Sequence, residues 1–219
     1  MQRKKYNQSL HQLKSDIVKM GDLVYDRITQ AISAFQNNDL ELALKLIQTD
    51  NLVDEYEELI AKQCINIIWK EQPVATDLRL VTGILKMVTD LERIGDHVVD
   101  ISEIVVDLKG HQFETDLTLI TSMVNQATTM IKQSVQALIN IDVEKARQII
   151  KDDDIVDGDY QTLIKEVSKW LRESKKGYEN VISILLIGKY LERVADHSVN
   201  ISEWVIFIAT GTHKHAQLF

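Results

Sequence analysis

Glu92, Asp96, Asp100 and Glu103 follow one another at steps of four, four and three. At about 100° per residue, those steps stack the four acids in one column along a helix. A second run repeats the arrangement: Glu192, Asp196, Asn200 and Glu203 carry a side-chain oxygen at every position. Two further acidic pairs stand four apart, Asp50 with Asp54 and Asp153 with Asp157. On neighbouring helices such columns would form a ledge of oxygens. Carboxylate and amide oxygens without cysteine suit magnesium, calcium, manganese or iron rather than a tetrahedral structural zinc.

A solvated helix face is the plain alternative, because an acidic stripe opposite an apolar one is how such a face reads. Like charges four apart nevertheless cost a helix roughly 0.2–0.5 kcal/mol per pair, and little lysine is interleaved to relieve them. Repetition adds weight. The segment LERIGDHVVDISE, residues 91–103, returns as LERVADHSVNISE, residues 191–203, with nine of thirteen positions identical, and residues 39–54 match 142–157 at seven of sixteen. Packing would preserve apolar positions through a duplication; it would not require these positions to stay acidic. Cation binding would.

The neighbouring residues are assigned plainer roles. His97 and His197 sit about 100° round from the acids, towards a helix seam, where a hydrogen-bonding role is expected. Arg93 and Arg193 flank the columns and offset their charge. Cys64 lies on an apolar stripe and is expected to be inert core. His213 and His215 follow the last helix, where tails are usually mobile. There is no Gly-rich phosphate loop, no nucleophile with a recognisable base and no Glu-x-x-His pair of the di-iron kind. The chain is not expected to be an enzyme.

The elements that must position these acids are all helical. One proline and eight glycines interrupt 219 residues, and apolar residues recur at steps of three and four. A first helix is expected from about Tyr6 to Phe35 and a second from Asp39, as N-cap, to a stop before Gln72-Pro73. A third spans Ala75 to Asp107, with Lys109-Gly110 as its C-terminal cap. Thr115 or Asp116 opens the fourth, Asn140 to Asp142 separates it from the fifth, Lys175-Lys176-Gly177 closes the fifth, and the sixth runs from near Tyr178 to Ala209. The fold class is therefore all-α: two tandem, sequence-related three-helix bundles built from six long helices. The first bundle is assigned to residues 1–111 and the second to 112–219.

Composition narrows the function classes. A net charge of −8 argues against a nucleic-acid partner, which usually demands a basic face. No window approaches the roughly 18 apolar residues of a membrane span, so no direct membrane insertion is expected. The basic N-terminus lacks the apolar core of a secretory signal, and the single cysteine fits a reducing compartment. A cytoplasmic location follows as the expectation.

Several separated motifs carry a family resemblance: DLERIGDH over residues 90–97, YLERVADHSVNI over 190–201 and QPVATDLR over 72–79. Together they resemble the PhoU family of phosphate transport regulators along nearly the whole chain. That resemblance implies two three-helix bundles, usually in a homodimer, working with the ATPase subunit of the phosphate ABC transporter and with a phosphate-sensing histidine kinase. The family represses the phosphate-starvation response when phosphate is plentiful. It also implies metal clusters, of iron or zinc, on acid-x-x-x-aspartate motifs, which fall here on Glu92 with Asp96, Glu192 with Asp196, Asp50 with Asp54 and Asp153 with Asp157. Asn200 replaces the acid found at Asp100, so the second site is expected to hold fewer metal ions or to hold them less tightly. A metal-storage or di-iron type of helical metalloprotein is the alternative.

Overall fold

The computed structural model describes residues 2–108, 117–173, 178–213 and 216–217. The expected caps at Lys109-Gly110, Thr115 or Asp116 and Lys175 to Gly177, the domain boundary between 111 and 112, and His215 lie outside the described residues. Helices α1 (Gln2–Asn37), α2 (Leu40–Gln48), α3 (Asn51–Glu71) and α4 (Ala75–Asp107) form the first half; α5 (Thr118–Asn140), α6 (Val143–Glu173) and α7 (Tyr178–Thr210) form the second. Each half is a three-helix bundle, with α2 and α3 together standing in the place of one helix. The halves join where α4 packs on α7 and α1 on α5.

The stripe read from the sequence is the core of α1: Leu13, Ile17, Met20, Val24, Ile28, Ala31 and Phe35 are all buried. An offset of 103 carries it into α5, where Ile120, Met123, Ala127, Ile131, Ser134 and Leu138 are buried as well. The turns repeat too. Asn38 and Ile141 both adopt a left-handed conformation, with φ of 53° and 51°, and the carboxylates of Asp39 and Asp142 then accept the backbone N–H groups of Leu42 and Lys145. Each satisfies one of the donors that a helix start leaves orphaned. Cys64 is fully buried, and burial pushes its thiol up to about 12, consistent with an inert core residue.

One expected helix is interrupted. The second helix of the first half breaks at Thr49-Asp50, whereas its counterpart α6 runs unbroken through Asp152-Asp153. The break is met from α1. The buried guanidinium of Arg27 donates through Nη2 to the Leu46 carbonyl at 2.8 Å and through Nη1 to Thr49 Oγ1 at 2.9 Å. Leu46 C=O is the acceptor that Asp50 N–H would use in a continuous helix. The Leu46 carbonyl is bonded by Arg27, and Asp50 N–H is instead bonded to Ile47 C=O at 3.4 Å.

The seam between the halves is close. A Cβ on Gly21 of α1 would come within 2.7 Å of Val135 Cγ2 on α5, and the branched Val135 side chain is stiff at χ1. Gly21→Leu is expected to destabilise the chain by about 1–3 kcal/mol through overpacking, read as a lower urea midpoint.

After α7, Thr212–His213 pairs antiparallel with Ala216–Gln217. His213 stacks on Trp204 with ring centroids 3.9 Å apart. The tail is thus tied to α7 at this point, contrary to the expectation that it carries little structure.

Candidate metal centres and the seam between the halves

Because α3 lies beside α4 and α6 beside α7, the acidic pairs of each half meet across a helix seam. In the first half, burial pushes the Glu92 carboxyl up to about 6; Asp96, Glu57 and Asp54 push the same way and Arg93 opposes them. Asp50 is raised by burial, then by Asp54 and Asp96, against the pull of Arg27. In the second half, burial lifts Asp153 to about 7, reinforced by Asp157, Asp196, Glu192 and Asp154. Asp196 is raised by burial, then by Glu192 and Asp157, with Lys189 and His197 opposing. In the first half Asp50, Asp54, Glu92 and Asp96 thus lie near enough to repel one another, and in the second half Asp153, Asp157, Glu192 and Asp196 do the same, without three of them reaching ligand spacing.

These clusters are not simple solvated faces. The side chains of Glu92 and Glu192 are only 17% and 16% exposed. In each of these acidic groups one buried carboxylate oxygen makes no hydrogen bond: Glu92 Oε2, with Arg93 Nε 3.4 Å away, and Asp153 Oδ1. Leaving such an oxygen unpaired costs about 1–3 kcal/mol, and more when it is charged. A hard cation would remove that cost once the carboxylates close round it, and a donor set made only of oxygens has the chemistry for one.

Cationic side chains compensate part of the charge. Arg93 donates to Asp96 Oδ2 at 2.8 Å and stands 3.4 Å from Glu92 Oε2, as its place at the edge of the column suggests. Lys189 donates to Glu192 Oε2 at 2.6 Å. Among the described residues, no three His, Cys, Asp or Glu side chains stand at ligand spacing.

The rest of each column serves a different place. Asp100, Glu103, Asn200 and Glu203 line a groove of about 850 Å³ between α4 and α7, flanked by Arg93 and Arg193. Asp50, Asp96 and Asp196 also reach this groove, which therefore runs from one acidic cluster to the other.

Beneath the groove, the two histidines hold the seam. His97 is buried, and its Nδ1 lies 3.0 Å from Asp100 Oδ2. His97 also packs against Tyr190 and His197, with ring centroids 5.5 and 5.7 Å away. Burial lowers its affinity for a proton, opposed by the Asp100 hydrogen bond. His197 Nδ1 lies 2.9 Å from Asp90 Oδ1, and the Asn200 amide donates to the same oxygen at 3.1 Å. The hydrogen-bonding role read for both histidines is the one they have here. Asn200 acts first as a donor across the seam, a task no carboxylate could perform for Asp90.

Sequence reasoning passed over Arg27, Asp90 and Glu57. Arg27 had a signal: helical steps from Met20 land on Val24, Arg27, Ala31 and Ala34, so a cation stands on the core stripe. Asp90 had none, because its partners lie more than 100 residues away.

Comparison with known proteins covers the whole of this architecture. The PhoU domain family matches residues 17–105 and again 120–205. The PhoU homolog of Clostridium acetobutylicum, named a phosphate-specific transport system accessory protein, is 34% identical over 96% of this chain and 97% of its own length. The accessory protein PhoU of Serratia marcescens is 31% identical over 94% and 85%. Among solved structures, PhoU from Pseudomonas aeruginosa superposes with a TM-score of 0.90 at 29% identity, covering 94% of this chain and all of that one. A phosphate transport system regulatory protein PhoU from Streptococcus pneumoniae gives 0.89 at 27% identity, over 96% of this chain and all of its own.

Proposed function

The chain belongs to the PhoU family, and from that premise we propose that it is an accessory protein of phosphate-specific transport that restrains phosphate uptake and the phosphate-starvation response. It acts as a cytoplasmic adaptor, a homodimer that docks on the ATPase subunit of the phosphate ABC transporter and on a phosphate-sensing histidine kinase. Its two halves, residues 1–111 and 112–219, each offer one acidic cluster. No helix among the described residues is long and apolar enough to cross a membrane, so membrane attachment is assigned to the partners.

Metal ions belong to this reading. Asp50, Asp54, Glu92 and Asp96 would hold them in the first half, and Asp153, Asp157, Glu192 and Asp196 in the second, with Asp100 and Asn200 at the groove edge. Iron or zinc is the family's choice; magnesium, manganese and calcium suit the same oxygens. A bound ion would supply the positive charge that Arg27, Arg93 and Lys189 provide only in part. The protein's own part is to hold the carboxylates together against their repulsion. The observation that carries the metal reading is the buried Asp153 Oδ1, which has no hydrogen-bond donor, matched in the first half by Glu92 Oε2, which has only the ion pair with Arg93.

The test is capture by the tagged chain from membranes that contain the transporter and the kinase, in high and in low phosphate. Recovery of both partners in high phosphate is the expected result. Recovery of neither, under both conditions, would refute the adaptor role.

A further inference from the structure

We propose that Arg27 is a built-in counter-cation that weakens metal binding in the first half, leaving the acidic cluster of the second half as the tighter site. The inference rests on the metal reading above and concerns how the two sites differ. Residues 27 and 130 are equivalent under the offset that relates Met20, Val24 and Ile28 to Met123, Ala127 and Ile131, all buried. The first half therefore carries a guanidinium where the second carries the thioether of Met130.

The placement of Arg27 gives it this role. It is 4% exposed and fixed at both ends of its fork by Leu46 C=O and Thr49 Oγ1. Its Nη2 stands 3.8 Å from Asp50 Oδ1, and Nε is buried with no acceptor. A charge held in this way cannot swing aside when a cation arrives, and the low local dielectric magnifies its repulsion. Its bond to Leu46 C=O falls at the break in the helix immediately before Asp50, so Arg27 also buttresses the backbone that aims that carboxylate.

Among the described residues, the second half has nothing comparable in its core. Its helix is continuous, and Asp153 Oδ1, the counterpart of the Asp50 carboxylate, is buried with no donor. The cation beside this cluster is Lys189, 38% exposed on a flexible stem, which can turn to solvent and release Glu192. The order of affinity is thus the reverse of the one that Asn200 suggests from sequence, since that amide is engaged with Asp90.

The test uses Mn²⁺ as the probe, followed by electron paramagnetic resonance on the full chain after chelation. Two classes of site are expected, the tighter one lost in D153N and the weaker one in E92Q. R27M should tighten the weaker class by on the order of tenfold or more, and R27K, which keeps the charge without the fork, should hold it near the parent value. Hydrogen exchange reads the helix separately: amide protection should rise at Asp50 in R27M. Two equal classes unmoved by R27M, or a tighter class lost in E92Q, would overturn this inference and leave the metal reading standing. Absence of any Mn²⁺ binding would overturn both.

Discussion

Metal-free protein carrying Asp153→Asn is expected to unfold at a higher temperature than the parent at pH 8 and at nearly the same temperature at pH 4. The cause is the carboxyl raised to about 7 by burial and by Asp157, Asp196 and Glu192. A group whose folded pKa lies above its unfolded value binds more protons in the folded state across the window between them. Stability therefore falls as pH rises from about 4 to about 7. Asparagine has no such titration and retains the shape of the neutral acid. Discounted for the solvent that reaches this partly exposed group, the gain is on the order of 1–2 kcal/mol, about 2–8 °C for a chain of this size. Divalent metal at a concentration that fills only the tighter, second-half site should reverse the ranking, raising the parent's melting temperature with little effect on the variant, because a ligand stabilises the native state only through a site it occupies. Calorimetry at several pH values, with and without Mn²⁺, checks both parts. Identical melting curves across the range would show that Asp153 carries no buried charge.

The second large effect concerns regulation. Replacing Glu92, Asp96, Glu192 and Asp196 by their amides removes two carboxylates from each cluster. With a charge-assisted contact worth about 1.5–3 kcal/mol, each site should lose at least a hundredfold in metal affinity, as an order-of-magnitude figure. Elemental analysis of the purified variant should find little metal. A reporter of phosphate-starvation genes should stay active in high phosphate, where the parent chain represses it. The variant should remain folded, because the substitutions also relieve like-charge repulsion in half-buried seams. Unchanged metal content together with unchanged repression would reduce the acidic clusters to ordinary surface.

The sequence carried the helices well because their signals are local. Asp39 and Asp142 announce helix starts, Gln72-Pro73 announces a stop, and the stripe from Leu13 to Phe35 has one period throughout. The break at Thr49-Asp50 was hidden for the opposite reason. Its partner, Arg27, lies on another helix and bonds a backbone carbonyl that no pattern in residues 40–71 reveals. The acidic clusters were legible through spacing and repetition, but spacing reports only which way a side chain points from its own axis. It could not show that Glu92 and Glu192 are pressed between helices, nor that the lower half of each column opens on the groove between the bundles. Asp90 and Asn200 show the same limit, since each appears as a small departure from the repeat until the two are seen to meet.

That meeting bears on the ancestry of the chain. Asp90 occupies in the first copy the place held by Tyr190 in the second, as Asp100 does relative to Asn200. The native seam joins Asp90 to His197 and Asn200. A chimera made from two first halves would set Asp90 against a second Asp100, and one made from two second halves would offer Tyr190 in place of the shared acceptor. The duplicated units have become complementary and are no longer interchangeable.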